Sequence, residues 1–227
     1  MREWEFIDHS AVPGDEGVIY LSKRGSEYAI HVDGRQLMTN REHGSEAALA
    51  DLACDRLDER ADARILVGGL GMGFTLAAAL RRVQDQGQVT VAELLESVVR
   101  WNREHVGRAS GHPLRDPRTR VHVGDVADLL DVRPDPWCAI LLDVDNGPQA
   151  LTRPVNAWLY TDEGLRGAFD SLRSGGILAI WSAHPDDGLT ERLDIAGFDV
   201  EIVAFTEEGR ESYDGNSTDT LWFARRP

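Results

Sequence analysis

The sequence is poor in cysteine, in basic residues and in long apolar runs. Its 227 residues hold two cysteines, Cys54 and Cys138, far apart and outside any CxxC pair. That excludes a disulfide framework and gives no support to a zinc site, so both are expected as buried thiols. No apolar stretch approaches the ~20 residues of a membrane span. The opening MREWEFIDHSAVPGDEG has no apolar signal core either, and the chain is therefore expected in the cytoplasm, away from membranes. Lysine and arginine number 24 against 39 aspartates and glutamates, a net charge of −15. So acidic a surface repels phosphate backbones, and no nucleic-acid partner is expected, although a local basic patch remains compatible with the sum.

What is present changes texture near residue 60. Before it, GVIYLSKRGSEYAIHVDGRQLMTN alternates apolar and polar residues around two turns. This predicts a hairpin with a third strand at Gln36–Met38. GSEAALADLACDRLDER then repeats apolar residues at helical spacing, with Ser45 placed to cap the start. After it, RILVGG, QVTVAEL, RVHVGD, CAILLDV and ILAIWS alternate with helical stretches, the one after CAILLDV ending at Gly175 and Gly176. Near-continuous apolar strands separated by helices predict a parallel sheet covered on both faces. FDVEIVAF and TLWFARR have only a polar loop between them and should close the sheet as an antiparallel hairpin. The predicted organisation is an N-terminal β-hairpin extension (1–43), a linking helix (44–60) and a Rossmann-like domain (61–227).

Chemistry gathers at the carboxyl ends of the predicted parallel strands, where the crevice of an open α/β sheet forms. LVGGLGMGFT joins the first of them to its helix, with Gly69, Gly71 and Gly73 spaced GxGxG. Glycines there allow tight turning and close approach of a ligand to a helix N-terminus. The dinucleotide pattern GxGxxG would need glycine at 74 or 76, which hold Phe74 and Leu76, so an NAD-dependent dehydrogenase is disfavoured. Glu93 ends the second strand, where an acid can accept from a ribose diol. Asp125 ends the third, where it can accept from an adenine amino group with Val126 beside the base, or simply cap the helix VADLL. Asp143 and Asp145 follow the fourth strand in AILLDVDNGPQ, ahead of a turn at Asn146-Gly147-Pro148.

ILVGGLGMG, VTVAELLESVV, DPRTRVHVGDVADLL and AILLDVDNGP together resemble the spermidine-synthase-like branch of the class I S-adenosylmethionine-dependent transferases. The resemblance covers roughly residues 60–181. It implies a seven-stranded, mostly parallel Rossmann-like sheet with a small β-rich N-terminal extension. It also implies that Gly69, Leu70, Gly71 and Gly73 hold the tail of the nucleoside. Glu93 and Leu94 would hold the ribose, Asp125 and Val126 the adenine. In polyamine synthases a D-x-x-D-P segment follows the fourth strand, and its first Asp orients and deprotonates the attacking amine. Here DVDNGP is one residue tighter, so Asp143 matches the first acid and Asp145 approximates the second. The Tyr-His-Glu-like cluster of the linking helix becomes HGSEAAL, without the tyrosine. An exposed edge on the N-terminal extension could pair two subunits, an expectation at the level of the family.

Alkyl transfer from a sulfonium needs a nucleophile held in line with the leaving sulfur, and a carboxylate beside an amine can orient it and take its proton. The expected catalytic residues are Asp143 and Asp145, with Asp143 also against the donor. Because the diamine cluster is incomplete, the leading expectation is methyl transfer from S-adenosylmethionine to a small, amine-like acceptor. The alternatives are aminopropyl transfer from decarboxylated S-adenosylmethionine and a non-catalytic module that only binds the nucleoside. His43, Glu46, His184, Trp158 and Trp181 are further candidates for the crevice, and the loop 206–217 for a lid.

Overall fold

The computed structural model describes residues 3–12, 17–58, 61–130, 135–144, 156–206 and 218–227. Four strands open the chain: β1 (Glu5–Ala11), β2 (Val18–Arg24), β3 (Glu27–Val32) and β4 (Arg35–Thr39). They pair as an antiparallel meander, β1-β2-β3-β4. The period-2 pattern is clearest in β2, where Ile19 and Leu21 are almost wholly buried between the exposed Val18 and the half-buried Tyr20; in β3 Ala29 and Ile30 are both buried. β1 has no clean alternation, which is why the sequence pattern shows only the later strands.

Helix α1 (Gly44–Asp55) follows. Ser45 does not cap it. His43 occupies the N-cap without a side-chain hydrogen bond, and Ser45 is the second residue of the helix, its Oγ donating to Glu46 Oε2 at 3.1 Å. The main sheet then runs β5 (Arg64–Gly68), α2 (Phe74–Arg82), β6 (Gln88–Glu93), α3 (Glu96–Trp101), β7 (Thr119–Val123), β8 (Trp137–Leu142), α4 (Asp162–Ser171), β9 (Leu172–Ser182), α5 (Asp187–Ala196), β10 (Asp199–Thr206) and β11 (Thr218–Arg225). The strand order is β10-β11-β9-β8-β5-β6-β7. Strands β9, β8, β5, β6 and β7 are parallel neighbours, and β11 runs antiparallel to both β9 and β10. The hairpin expected at the edge is present.

Two apolar layers hold the sheet. α1, α2 and α3 bury one face together with Leu21 and Ile30 of the small sheet. α4 and α5 bury the other, around Leu165, Leu189 and Leu193. β8 feeds both layers, every residue from Trp137 to Leu142 being buried. The caps of the second layer follow side-chain chemistry: Thr161 accepts from Gly164 N ahead of α4, and Asp186 from Leu189 N ahead of α5. α4 stops at Ser171 rather than at the glycines. β9 begins at Leu172 and carries Gly175 and Gly176 inside its first half, because Leu172 is needed in the core opposite Trp137. Among the described residues no helix is long and apolar enough to cross a membrane.

Strand order reverses between β5 and β8, since β5-α2-β6-α3-β7 grows to one side and β8-α4-β9 to the other. The crevice at such a switch point opens at the strands' carboxyl ends.

Candidate active site

A cleft of about 1060 Å³, counting its open side, occupies that switch point. Its floor is the turn after β5. Gly69 and Gly71 have φ of +89° and +50°. A Cβ on Gly69 would lie 2.3 Å from the carbonyl oxygen of Asp143, and one on Gly71 2.9 Å from Met38 Sδ. The loop therefore needs glycine both for its backbone angles and for its neighbours. Asn102 braces it from behind. α3 widens into a π turn at Asn102–Val106, and Asn102 Nδ2 donates to the carbonyls of Gly71 (2.7 Å) and Val98 (3.0 Å).

Glu93 ends β6 under the loop. Its Oε2 accepts from Leu70 N at 3.0 Å and its Oε1 from Leu95 N at 2.9 Å. Each carboxylate oxygen has a second lone pair, so the group that fixes the loop can also accept from a diol. Asp125 caps the 3-10 turn Val126–Leu129, with Oδ1 accepting from Ala127 N at 2.9 Å. It also lines the cleft beside Val126 and Leu94, so the capping and crevice positions expected of it are both occupied. Among the described residues Leu70 and Gly73 do not line the cleft. Leu70 contributes its N–H to Glu93, and Gly73 (φ +84°) starts α2.

Three acids meet at the far end. Asp143 leaves β8 with its Oδ2 accepting from Thr75 Oγ of α2 at 2.5 Å. Glu46 reaches the cleft from the first turn of α1. Asp219, at the start of β11, is 1% exposed and acts on both electrostatically. Burial pushes the Asp143 carboxyl up to about 6, Thr75 opposing the rise and Asp219 adding to it. Burial and the charge of Asp143 push Glu46 up to about 8. Like charges in one low-dielectric corner cannot all ionise together. A cation entering there relieves the repulsion, and the acids become its counter-charges.

The opposite wall is apolar and comes from the small sheet: Ile19, Ile30, Val32, Leu37 and Met38. Trp181 and Asn156 complete the rim. Sequence reasoning missed this wall, Asn102 and Asp219. The strand pattern of 17–40 marks which residues are buried but not what they cover, and Asp219 looks like the polar edge of a loop. Of the candidates left open, Glu46 and Trp181 reach the cleft. His43 stacks on Phe74 at 3.9 Å between ring centroids. His184 sits in a turn with Ser182, and Trp158 packs against the second core layer. Asp145, Asn146 and residues 207–217 lie outside the described residues.

No protein-family model matches the chain. It is 27% identical over 119 residues to a polyamine aminopropyltransferase of Korarchaeum cryptofilum, covering 52% of this chain and 35% of that one. It is 31% identical over 121 residues to a polyamine aminopropyltransferase of Synechococcus, covering 52% and 36%. The match thus spans about a third of the length of each curated relative. The crystal structure of spermidine synthase from Thermotoga maritima superposes with a TM-score of 0.78 at 18% identity, over 98% of this chain and 73% of that one. The fold is that of a spermidine synthase. The resemblance carried by the glycine loop and the acids after the strands agrees with these relatives. Within the spermidine-synthase fold, the seven-stranded sheet supplies the glycine loop and most of the acids, and the small sheet supplies the apolar wall.

Proposed function

We propose that the chain is an alkyltransferase that moves an aminopropyl group from decarboxylated S-adenosylmethionine to a small amine. The observation that carries this reading is the charge of the cleft. Glu46, Glu93, Asp125 and Asp143 line it, and no lysine or arginine does so among the described residues. A sulfonium donor with an ammonium tail suits that field, as does an ammonium acceptor. A donor that keeps its carboxylate would set a negative charge beside the three acids, which costs free energy. The aminopropyltransferase names of the curated relatives support the same donor. Both observations favour aminopropyl over the methyl transfer expected from the incomplete diamine cluster. Glu46 also stands in the cleft despite the missing tyrosine.

In the reaction the acceptor nitrogen attacks the carbon bonded to the sulfonium. The C–N bond forms as the C–S bond breaks, the bonding pair goes to sulfur, and a neutral thioether nucleoside leaves. Glu93 holds the ribose diol and Asp125 the adenine, with Val126 and Leu94 against the base and sugar. Asp143 orients the acceptor and takes its proton. A carboxylate raised to about 6 is a better base near neutral pH than an ordinary one. Glu46 is the second counter-charge to the cations. Asp145, two positions on from Asp143 in the sequence, is the second contact proposed for a cationic acceptor.

The test is product analysis. Purified protein is incubated with diamines of graded length and either decarboxylated S-adenosylmethionine or S-adenosylmethionine. Release of methylthioadenosine from the first donor alone supports the reading. S-adenosylhomocysteine from the second donor would establish methyl transfer instead, and binding without either product would leave a nucleoside-binding module.

A further inference from the structure

Trp101–His122 runs against the charge of the chain. WNREHVGRASGHPLRDPRTRVH holds five arginines and three histidines against two acids, in a protein of net charge −15. Part of this stretch and one face of α2 enclose a second, open groove of about 900 Å³, counting its open side. Arg81, Arg115, Arg118 and His112 line it, with Asp116 as its only acid among the described residues. That acid is already neutralised. Arg118 donates to Asp116 through Nε (2.9 Å) and Nη2 (2.7 Å), and its Nη1 reaches the carbonyl of Val83 (2.9 Å). Arg81 has only a loose approach to Asp51 at 3.8 Å. Arg115 is exposed and has no ion-pair partner among the described residues. The groove therefore offers one guanidinium group, that of Arg115, with no ion-pair partner among the described residues, and a second, that of Arg81, held only loosely by Asp51.

Two residues that line the groove, Ser110 and Pro113, also touch the glycine loop. Ser110 Oγ donates to the carbonyl of Met72 at 2.8 Å. Pro113 and Ser110 lie 3.0 and 3.1 Å from where a Cβ on Gly73 would sit. A ligand that draws Arg115 and the Ser110–Pro113 turn together acts on the loop through these contacts.

We propose that this groove binds a small, multiply charged phosphoryl anion, a di- or triphosphate, and that its occupancy stiffens the glycine loop. Planar guanidinium forks match phosphoryl oxygens two at a time. A short anion feels mainly the local arginines, whereas a long polyanion would also meet the acidic remainder of the surface. The proposal does not rest on the transferase reading, because both of its readouts are independent of the donor.

Tripolyphosphate is titrated calorimetrically into the full chain at low ionic strength, into an Arg81→Gln/Arg115→Gln double variant, and into Arg120→Gln, an exposed arginine outside the groove. Binding to wild type and to Arg120→Gln, weakened at least about tenfold in the double variant, is expected. Amide hydrogen exchange across 69–75 should slow about threefold or more when tripolyphosphate is bound. No heat, or equal affinity in the double variant, overturns the site. Unchanged loop exchange overturns the coupling. A single-stranded oligonucleotide that binds more tightly than tripolyphosphate overturns the choice of a small anion.

Discussion

Glu46→Gln separates the cost of a crowded acidic cleft from its use. In the folded chain burial and Asp143 raise the Glu46 carboxyl from 4.5 to about 8. Between those two values the folded state binds more protons than the unfolded state. The stability this group contributes is therefore complete below about pH 4.5 and is lost as pH rises through about 8. At ~1.4 kcal/mol per unit the ceiling is about 5 kcal/mol. Coupling to Asp143 and water in the cleft bring the expected effect to about 2 kcal/mol. Glutamine has the shape of the protonated acid and can still accept from Ser45 Oγ. Urea unfolding at pH 4 should then find variant and wild type alike, within about 0.5 kcal/mol. At pH 9 the variant should be the more stable by about 2 kcal/mol. The same substitution removes a counter-charge, so KM for the amine acceptor should rise about tenfold or more while kcat changes less. An equal stability difference at both pH values would refute the burial argument. An unchanged KM would refute the role assigned to Glu46.

Asp143→Asn should cut turnover about 10²- to 10⁴-fold and leave calorimetric affinity for the donor nucleoside within about threefold. Glu93→Gln leaves one of two backbone N–H groups without its anionic acceptor. It should cost about 2 kcal/mol in urea unfolding and weaken methylthioadenosine binding about tenfold or more. Gly69→Ala puts a methyl 2.3 Å from the Asp143 carbonyl oxygen at φ +89°. A loss of about 3 kcal/mol is expected, and an unchanged urea midpoint would show that the turn relaxes freely.

The parallel sheet and its antiparallel edge were legible because β8 and its neighbours are apolar at nearly every position and their helices carry a different period. Glu93 and Asp143 were legible for a related reason: an acid at the carboxyl end of a buried strand has little freedom in where it can point. Asp125 follows the half-exposed edge strand β7 and was legible from its place ahead of the VADLL turn. Glu46 was visible only as a candidate, since its place depends on how α1 docks on α2 and β9. Asp219 was not visible at all. It lies far along the chain from the other acids, and only the pairing of β11 with β9 brings it beside them. The roof of Ile19, Ile30, Leu37 and Met38 has the same origin, because alternation identifies an inward face without naming its opposite surface. Ser45 illustrates a local limit: its composition suits a cap, but the helix starts one residue earlier and turns the hydroxyl onto Glu46.

Met38 against Gly71 joins two sheets that share no strand. β1 adds a clasp, with Asp8 Oδ2 accepting from Trp101 Nε1 at 2.7 Å and from Arg100 Nη2 at 2.6 Å. A nucleoside seated between the sheets touches both, so its binding free energy is stored in the seam as well as in the loop. Filling the cleft should therefore raise the melting of the small sheet and of the large one together.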